Sequence, residues 1–392
     1  MSSQEQDEID IRLHCKKSLR RMSTGSSIII DGKSILDDDS QRISARELEQ
    51  GPKLGQGAFS DVREVRRLST DAHSIISQEE EHSMGSYSSG RKLIQGAMKY
   101  SRQESIEEDS IFLHRRLPQT VHSEITTGSQ GGSTVFHEDT DAVSRSYYYA
   151  MKKLRPDLSK SRAKSGAIDL AVEAQFLASL SHRNIVQLGG IGDDPGSKDF
   201  FLMVERLETT LSSEITLWKR EQQTINTNRL NDSRSRIQDS LQNHLLNRMK
   251  HAHDLVSAMS YLHEKRMIFR DLKPDNVGFT HDHIIKLFDF GLARELKPER
   301  RMGRDQFFLS RAGSPRYMAP EKPFRSLNAK EHEKAILTWR KRPKLSKQIP
   351  KDLRKLMKKC WKHHANERPD MSDCYRDLGS FLDSNQISIE KS

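Results

Sequence analysis

The segment IFRDLKPDNVGF, residues 268–279, brings together an aspartate (Asp271), a lysine two residues on (Lys273) and an amide five residues on (Asn276). A further carboxylate, Asp289 in LFDFG, lies 18 residues beyond Asp271. Two carboxylates and an amide oxygen converging across a short hairpin are hard oxygen donors, the kind magnesium takes. Upstream, GQGAFSDV carries Gly55 and Gly57, whose missing Cβ atoms would let backbone N–H groups approach phosphate oxygens. Alone, that loop fits a plain β-turn equally well. Lys152 in YAMKKL and Glu173 downstream form a candidate pair, because a lysine beside polyphosphate needs a carboxylate to fix its orientation. In isolation these two would read as solvated surface charges. Taken together, the set suits a magnesium-bound triphosphate.

The elements that must hold these groups are legible as patterns. KLGQGAFSDVREV reads as two strands joined by a tight loop, and SYYYAMKKL as a strand over 146–154. AIDLAVEAQFLASL has Leu170, Phe176, Leu177 and Leu180 at helical spacing. NIVQLGGI and FFLMVERL read as two further strands around the turn GDDPGSKD, and HAHDLVSAMSYLHEKRMI as an amphipathic helix. Strands first and helices later predict an α+β protein with two lobes.

Three segments look different. Residues 1–48 are rich in Ser, Asp, Glu, Arg and Gln and read as a disordered N-terminal tail. Residues 66–146 read as a long polar insertion, and 208–247 as a second, partly helical one. The remaining domain spans 49–383, with 384–392 as a C-terminal tail. Hydrophobic residues at 34% and charged residues at 31% agree with a core confined to part of the 392-residue chain.

The formal charge of +10 is spread along the sequence, which argues against an electrostatically driven nucleic-acid role. Three cysteines, Cys15, Cys360 and Cys374, make neither a disulfide framework nor a paired zinc knuckle. No apolar run approaches the roughly 18 residues of a membrane span, and the N-terminus lacks the apolar core of a secretion signal. A cytoplasmic location is expected. The segment WRKRPKL offers nuclear import as a lesser alternative, since it equally suits a loop between helices.

The ordered set FRDLKPDN, IIKLFDFGLARE and AGSPRYMAPE resembles the eukaryotic protein kinases from about Leu54 to Leu382, interrupted by the two insertions. The resemblance implies ATP and Mg2+ as cofactors and a protein hydroxyl as substrate. It assigns Leu54, Gly55, Gly57 and Val62 to the loop over ATP, with Ser60 in the place of a third glycine, and Ala150 to the adenine pocket. Lys152 would contact the α- and β-phosphates and pair with Glu173. Glu205 to Leu207 would be the hinge, preceded by Val204 as gatekeeper. Asp271 would accept the substrate proton, Lys273 would steady the transferred phosphate, and Asn276 and Asp289 would hold magnesium. Lys273 at this position is similar to Ser/Thr-directed kinases, and KKCWKHHANERPDM resembles the closing helices of the tyrosine-kinase-like group. Arg368 would pair with Glu321, and Ser310 would be an activating phosphorylation site that Arg270 receives.

Two departures stand out. Phe269 replaces the family's usual histidine. It keeps the packing under the metal-binding loop but loses hydrogen bonds worth about 1–3 kcal/mol. After MAPE, only five residues separate Glu321 from Leu327, where the next helical pattern begins. The family's long buried helix, at about 11–12 residues for an average helix, does not fit there. The expectation is therefore a protein Ser/Thr kinase whose activity as written is in doubt. The alternatives are a catalytically impaired scaffold, or a coding segment omitted between Glu321 and Lys322.

Overall fold

The computed structural model describes residues 3–23, 42–68, 149–227, 234–297, 301–303, 306–307, 312–314, 317 and 342–390. Its first half is built on a five-stranded antiparallel sheet in the order β1-β2-β3-β5-β4. These strands are β1 (Leu48–Gln56), β2 (Ser60–Leu68), β3 (Tyr149–Leu154), β4 (Leu188–Gly192) and β5 (Phe201–Glu205). Strand alternation sorts the side chains. Met151, Phe201 and Met203 join Leu48 and Val65 in a core on one face. Ala150 and Lys152, paired in register with Val204 and Leu202, point to the other. That face is covered by α2 (Lys160–Ser179), whose Leu170, Phe176 and Leu177 are buried as their helical spacing predicts.

The second half is helical, with short β-pairs near the site. It contains α3 (Leu211–Thr227), α4 (Arg234–Glu264), α5 (Lys351–Cys360) and α6 (Met371–Glu390). A three-stranded sheet joins β6 (Thr209–Thr210), β8 (Val277–Phe279) and β9 (Ile285–Leu287), and β7 (Met267–Ile268) pairs with β10 (Arg294–Glu295). Ala258, Met259 and Leu262 of α4 pack on Phe269, Val277, Phe279, Ile285, Leu287 and Phe290, so the central helix directly supports the loop that carries Asp271. Leu246 of α4 packs with Leu353 and Leu356 of α5 and Leu378, Phe381 and Leu382 of α6.

Several expectations need correction. The N-terminal segment is not a featureless tail: Ser3–Ser23 forms a helix, α1, with Cys15 and Leu19 buried. Its apolar stripe is narrow, Ile11, Cys15 and Leu19 at four-residue spacing, and the surrounding charges hide it from a composition reading. Residues 208–247 are partly helical, as expected, and packed against both cores. They supply β6, α3 and the first half of α4, with Leu211 and Trp218 against the main core and Leu246 inside the second. α6 continues to Glu390, through most of the expected C-terminal tail. The helix expected over HAHDLVSAMSYLHEKRMI, residues 251–268, stops at Glu264, and Met267–Ile268 is a strand. The expected insertion lies outside the described residues from 69 to 146, as does the junction at Glu321–Lys322.

Candidate active site

Lys152 sits on β3 on the face turned to α2, and Glu173 projects from α2 towards it. Lys152 Nζ donates to Glu173 Oε2 at 2.6 Å and to Asp289 Oδ1 at 3.0 Å. The Glu173 side chain is 4% exposed and that of Asp289 45%, so one carboxylate anchors the lysine while the other faces solvent. Burial would lower the Lys152 pKa, but Glu173 and Asp289 outweigh it and raise it, so the lysine stays charged. Burial lifts the Glu173 carboxyl above its ordinary range, and Lys152 offsets this only in part.

Asp289 takes a left-handed conformation, φ 70°, just before the 3-10 turn Phe290–Leu292. The β8–β9 ladder places it. Val277 pairs with Leu287, and the Phe288 amide donates to the Asn276 carbonyl at 3.1 Å. Asn276 and Asp289 therefore share one end of a short hairpin, as their spacing predicts. Gly291 packs on α2, where an added Cβ would come within 3.3 Å of the Asp169 Cβ.

The second cluster is local. Asp271 Oδ2 accepts from Lys273 Nζ at 2.7 Å and from Asn276 Nδ2 at 3.0 Å, and its Oδ1 accepts from the Ser314 amide at 2.7 Å. Lys273 Nζ also lies 3.3 Å from Ser314 Oγ. Burial pushes the Asp271 pKa up, but bonds from Lys273 and Ser314 prevail and hold it below its usual value, so the carboxylate is ionised at neutral pH. The Asn276 amide nitrogen points at Asp271, through its side chain and its carbonyl, which turns the amide oxygen the other way.

Phe269 is 1% exposed and meets Phe290 edge to face, with ring centroids 5.0 Å apart. The aromatic substitution keeps the packing under the loop. Arg270, at φ 69°, donates through Nε to the Leu292 carbonyl at 2.6 Å.

Around the cleft, Gly55 has open space where a Cβ would stand, and the Gly57 amide closes the turn onto the Ser60 carbonyl at 2.7 Å. Ala150 is buried, Val62 and Leu207 are half-buried, and Leu54 is exposed. The Glu205 carboxylate accepts from buried Lys286 at 2.9 Å, which fixes the side chain at the end of β5. Gly278 lets Leu207 approach, since a Cβ there would sit 2.8 Å from Leu207 Cδ1.

Some contributors escaped the sequence reading. Asp169 stands four residues before Glu173 on α2, and burial pushes its pKa up to about 6. The i,i+4 acid pair was the available signal. Ser314 and Lys286 gave none beyond their place beside the motifs. Ser310 and Glu321 lie outside the described residues, and with Glu321 the expected partner of Arg368; Arg368 donates to the carbonyls of Lys362 and His363 at 2.8 and 3.0 Å.

The residues suit ATP and magnesium. A charged lysine on β3 stands in register with Val62 of the strand that follows the glycine turn, and Asn276 and half-exposed Asp289 flank one end of the β8–β9 hairpin. Among the described residues, no helix is long and apolar enough to cross a membrane.

Comparison with known proteins gives the same direction. The chain is 27% identical over 151 residues to dual specificity protein kinase shkB of Dictyostelium discoideum, covering 31% of this chain and 22% of that one. It is 41% identical over 86 residues to serine/threonine-protein kinase AtPK1/AtPK6 of Arabidopsis thaliana, covering 22% and 16%. It is 43% identical over 68 residues to human 3-phosphoinositide-dependent protein kinase 1, covering 17% and 12%. The chain thus spans less than a quarter of the length of each of these relatives. The protein tyrosine and serine/threonine kinase family matches residues 316–378. The protein kinase domain family matches residues 121–340, more than half of the sequence, and the chain belongs to that family.

Proposed function

We propose that the chain transfers the γ-phosphate of MgATP to serine or threonine hydroxyls of protein substrates. The observation that carries this is the triad Lys152–Glu173–Asp289, closed at 2.6 and 3.0 Å from three separate elements. Bound MgATP would supply the phosphoryl group and the metal that neutralises its charge. Lys152, kept cationic and oriented by Glu173, would bind phosphate oxygens. Asn276 and Asp289 would hold the metal. Asp271, kept ionised, would orient the substrate hydroxyl and take its proton at a carboxylate oxygen, with Lys273 beside it against developing negative charge. Lys273 beside Asp271 supports Ser/Thr acceptors, and two of the similar kinases are named dual specificity or serine/threonine. A cytoplasmic location is part of the same proposal.

The test is phosphorylation of mixed protein substrates with γ-labelled MgATP, followed by phosphoamino-acid analysis. Label on Ser or Thr that disappears in Asp271→Asn is the expected result, and label confined to Tyr would overturn the acceptor assignment. A catalytically impaired reading is favoured by one observation, the five residues between Glu321 and Leu327. MgATP binding without measurable transfer, from a transcript with no further segment at Glu321–Lys322, would establish it.

A further inference from the structure

α1 lies against α2, the helix that carries Glu173. Its stripe of Ile11, Cys15 and Leu19 meets Ala167, Leu170, Ala171 and Ala174, a mostly small-residue face that lets the two helices close up. Ile191, Phe200 and Leu202 of the sheet side complete this cluster. Cys15 is fully buried, and an Asp7–Lys160 ion pair ties α1 to the first residue of α2. The loop before β5 is shaped for the same contact. Gly196 has φ +89°, and a Cβ there would stand 2.8 Å from the Arg12 Cα and 3.1 Å from Cys15 Sγ. On α2, Asp169, Glu173, Phe176 and Leu180 project from a different side from the alanines, towards the site and the central core.

We infer that α1 is an intramolecular clamp that holds α2 where Glu173 reaches Lys152, with Cys15 and Leu19 as positioning residues for the nucleotide site. α2 is gripped on two sides, and the Glu173–Lys152 contact forms only while its position is fixed to a fraction of an ångström. Without α1, the apolar face of Ala167, Leu170, Ala171 and Ala174 faces water, and α2 loses the contact that opposes its swing away from β3. Coupling of this kind is reciprocal: nucleotide that favours the Lys152–Glu173 arrangement tightens α1, and release of α1 weakens nucleotide. This inference rests on the reading of Lys152 as a phosphate-binding residue.

Cys15 reports the docked state, because its thiol is buried and its pKa is raised to about 12, so alkylation requires α1 to lift. The experiment uses the full chain and a non-hydrolysable ATP analogue with Mg2+. Saturating analogue is expected to slow maleimide labelling of Cys15 by about fivefold or more, and Glu173→Gln to remove that slowing. Leu19→Asp, which places a charge in the α1–α2 seam, and Gly196→Ala, whose Cβ would press first on Arg12 and Cys15 of α1, are each expected to weaken analogue binding by a similar factor. Leu19→Met retains the parent affinity. In the Glu173→Gln background Leu19→Asp adds no further loss, whereas a merely structural effect would add in full. If Leu19→Asp and Gly196→Ala bind the analogue as the parent does while Cys15 labels freely, the clamp is wrong. If the parent binds no nucleotide at all, the proposed function fails, and the clamp is judged by hydrogen exchange instead. Unchanged protection of α2 amides in Leu19→Asp then overturns it, and selective loss of that protection supports it.

Discussion

The two lysine–carboxylate clusters of the site are built in opposite ways. Asp271, Lys273 and Asn276 lie within six consecutive residues, and one loop brings their side chains to bonds of 2.7 and 3.0 Å. Lys152, Glu173 and Asp289 come from β3, α2 and the end of the β8–β9 hairpin, with 137 positions between the lysine and Asp289. The first cluster needs little more than its own turn and the floor beneath it. The second exists only when sheet, helix and hairpin are docked. A local cluster is robust in position and fails when its chemistry is altered, whereas an assembled cluster also fails when a distant contact shifts.

The largest expected effect separates chemistry from assembly. Asp271→Asn keeps the size and much of the hydrogen bonding but removes the proton acceptor. Phosphoryl transfer is expected to fall by about 10²–10⁴, the range for loss of a general base, with nucleotide affinity close to the parent's. A matching loss of affinity, read by calorimetry, would show that the local cluster also holds nucleotide.

Next comes Phe269, which touches both clusters: it lies two residues before Asp271 and packs on Phe290, the neighbour of Asp289. Phe269→Ala leaves a void in the main core and is expected to cost about 3–5 kcal/mol of stability, measured by denaturant unfolding. Phe269→Leu should cost clearly less, because most of the apolar volume remains. Equal losses for the two would mean that the edge-to-face contact, not volume, carries the effect.

The local cluster, its hairpin partner Asp289 and the strand and helix patterns around Lys152 and Glu173 were all legible in the sequence. Spacing fixes which groups share a loop, and alternation fixes that Ala150 and Lys152 share a face. The role of Phe269 as packing under the loop was implied by the resemblance, because an aromatic ring can fill the place of the family's usual histidine. What the sequence hid depended on long-range docking. Among its described side chains α1 packs Ile11, Cys15 and Leu19 between charged residues, so its composition reads as disordered until α2 supplies a partner surface. α3 and the start of α4 look like a polar insertion because, among their described residues, Leu246 alone is buried while Leu211 and Trp218 are half-buried. For Asp169 the i,i+4 pairing with Glu173 was visible but its burial was not, since the Phe290–Leu292 turn that packs on α2 lies far away in sequence.

For the assembled cluster itself, Lys152→Met removes the charge that Glu173 orients. Affinity for MgATP is expected to fall by roughly 10–100-fold, about 1.4 to 2.8 kcal/mol. Asp289→Asn should weaken the Mg2+ complex more than metal-free ATP, because it removes the charge of a half-exposed carboxylate that a metal ion could meet. Titrations with and without Mg2+ separate the two. Identical losses in both conditions would remove Asp289 from the metal site.

The smallest effect tests burial on α2 through pH. Asp169 ionises near 3.8 in an unfolded chain, and burial pushes this up to about 6 in the folded protein, with Asp289 adding to the rise and Arg294 opposing it. Between these values the folded state holds a proton that the unfolded state has lost. The stabilising contribution is therefore complete below about pH 4 and is lost as pH rises through about 6. Above that the ionised, half-buried carboxylate is a constant liability. The shift corresponds to about 3 kcal/mol at 1.36 kcal/mol per unit, and partial solvent contact reduces it to roughly 1–2 kcal/mol. Asp169→Asn should thus raise stability by that amount at pH 7.5 and change it little at pH 4, as read from unfolding curves at the two pH values. An Asn variant that is less stable at pH 7.5 would mean that the ionised Asp169 is held favourably by Arg294 and Arg270. Asp169 would then belong with the charged groups that assemble the site, not with the buried face of the helix that carries it.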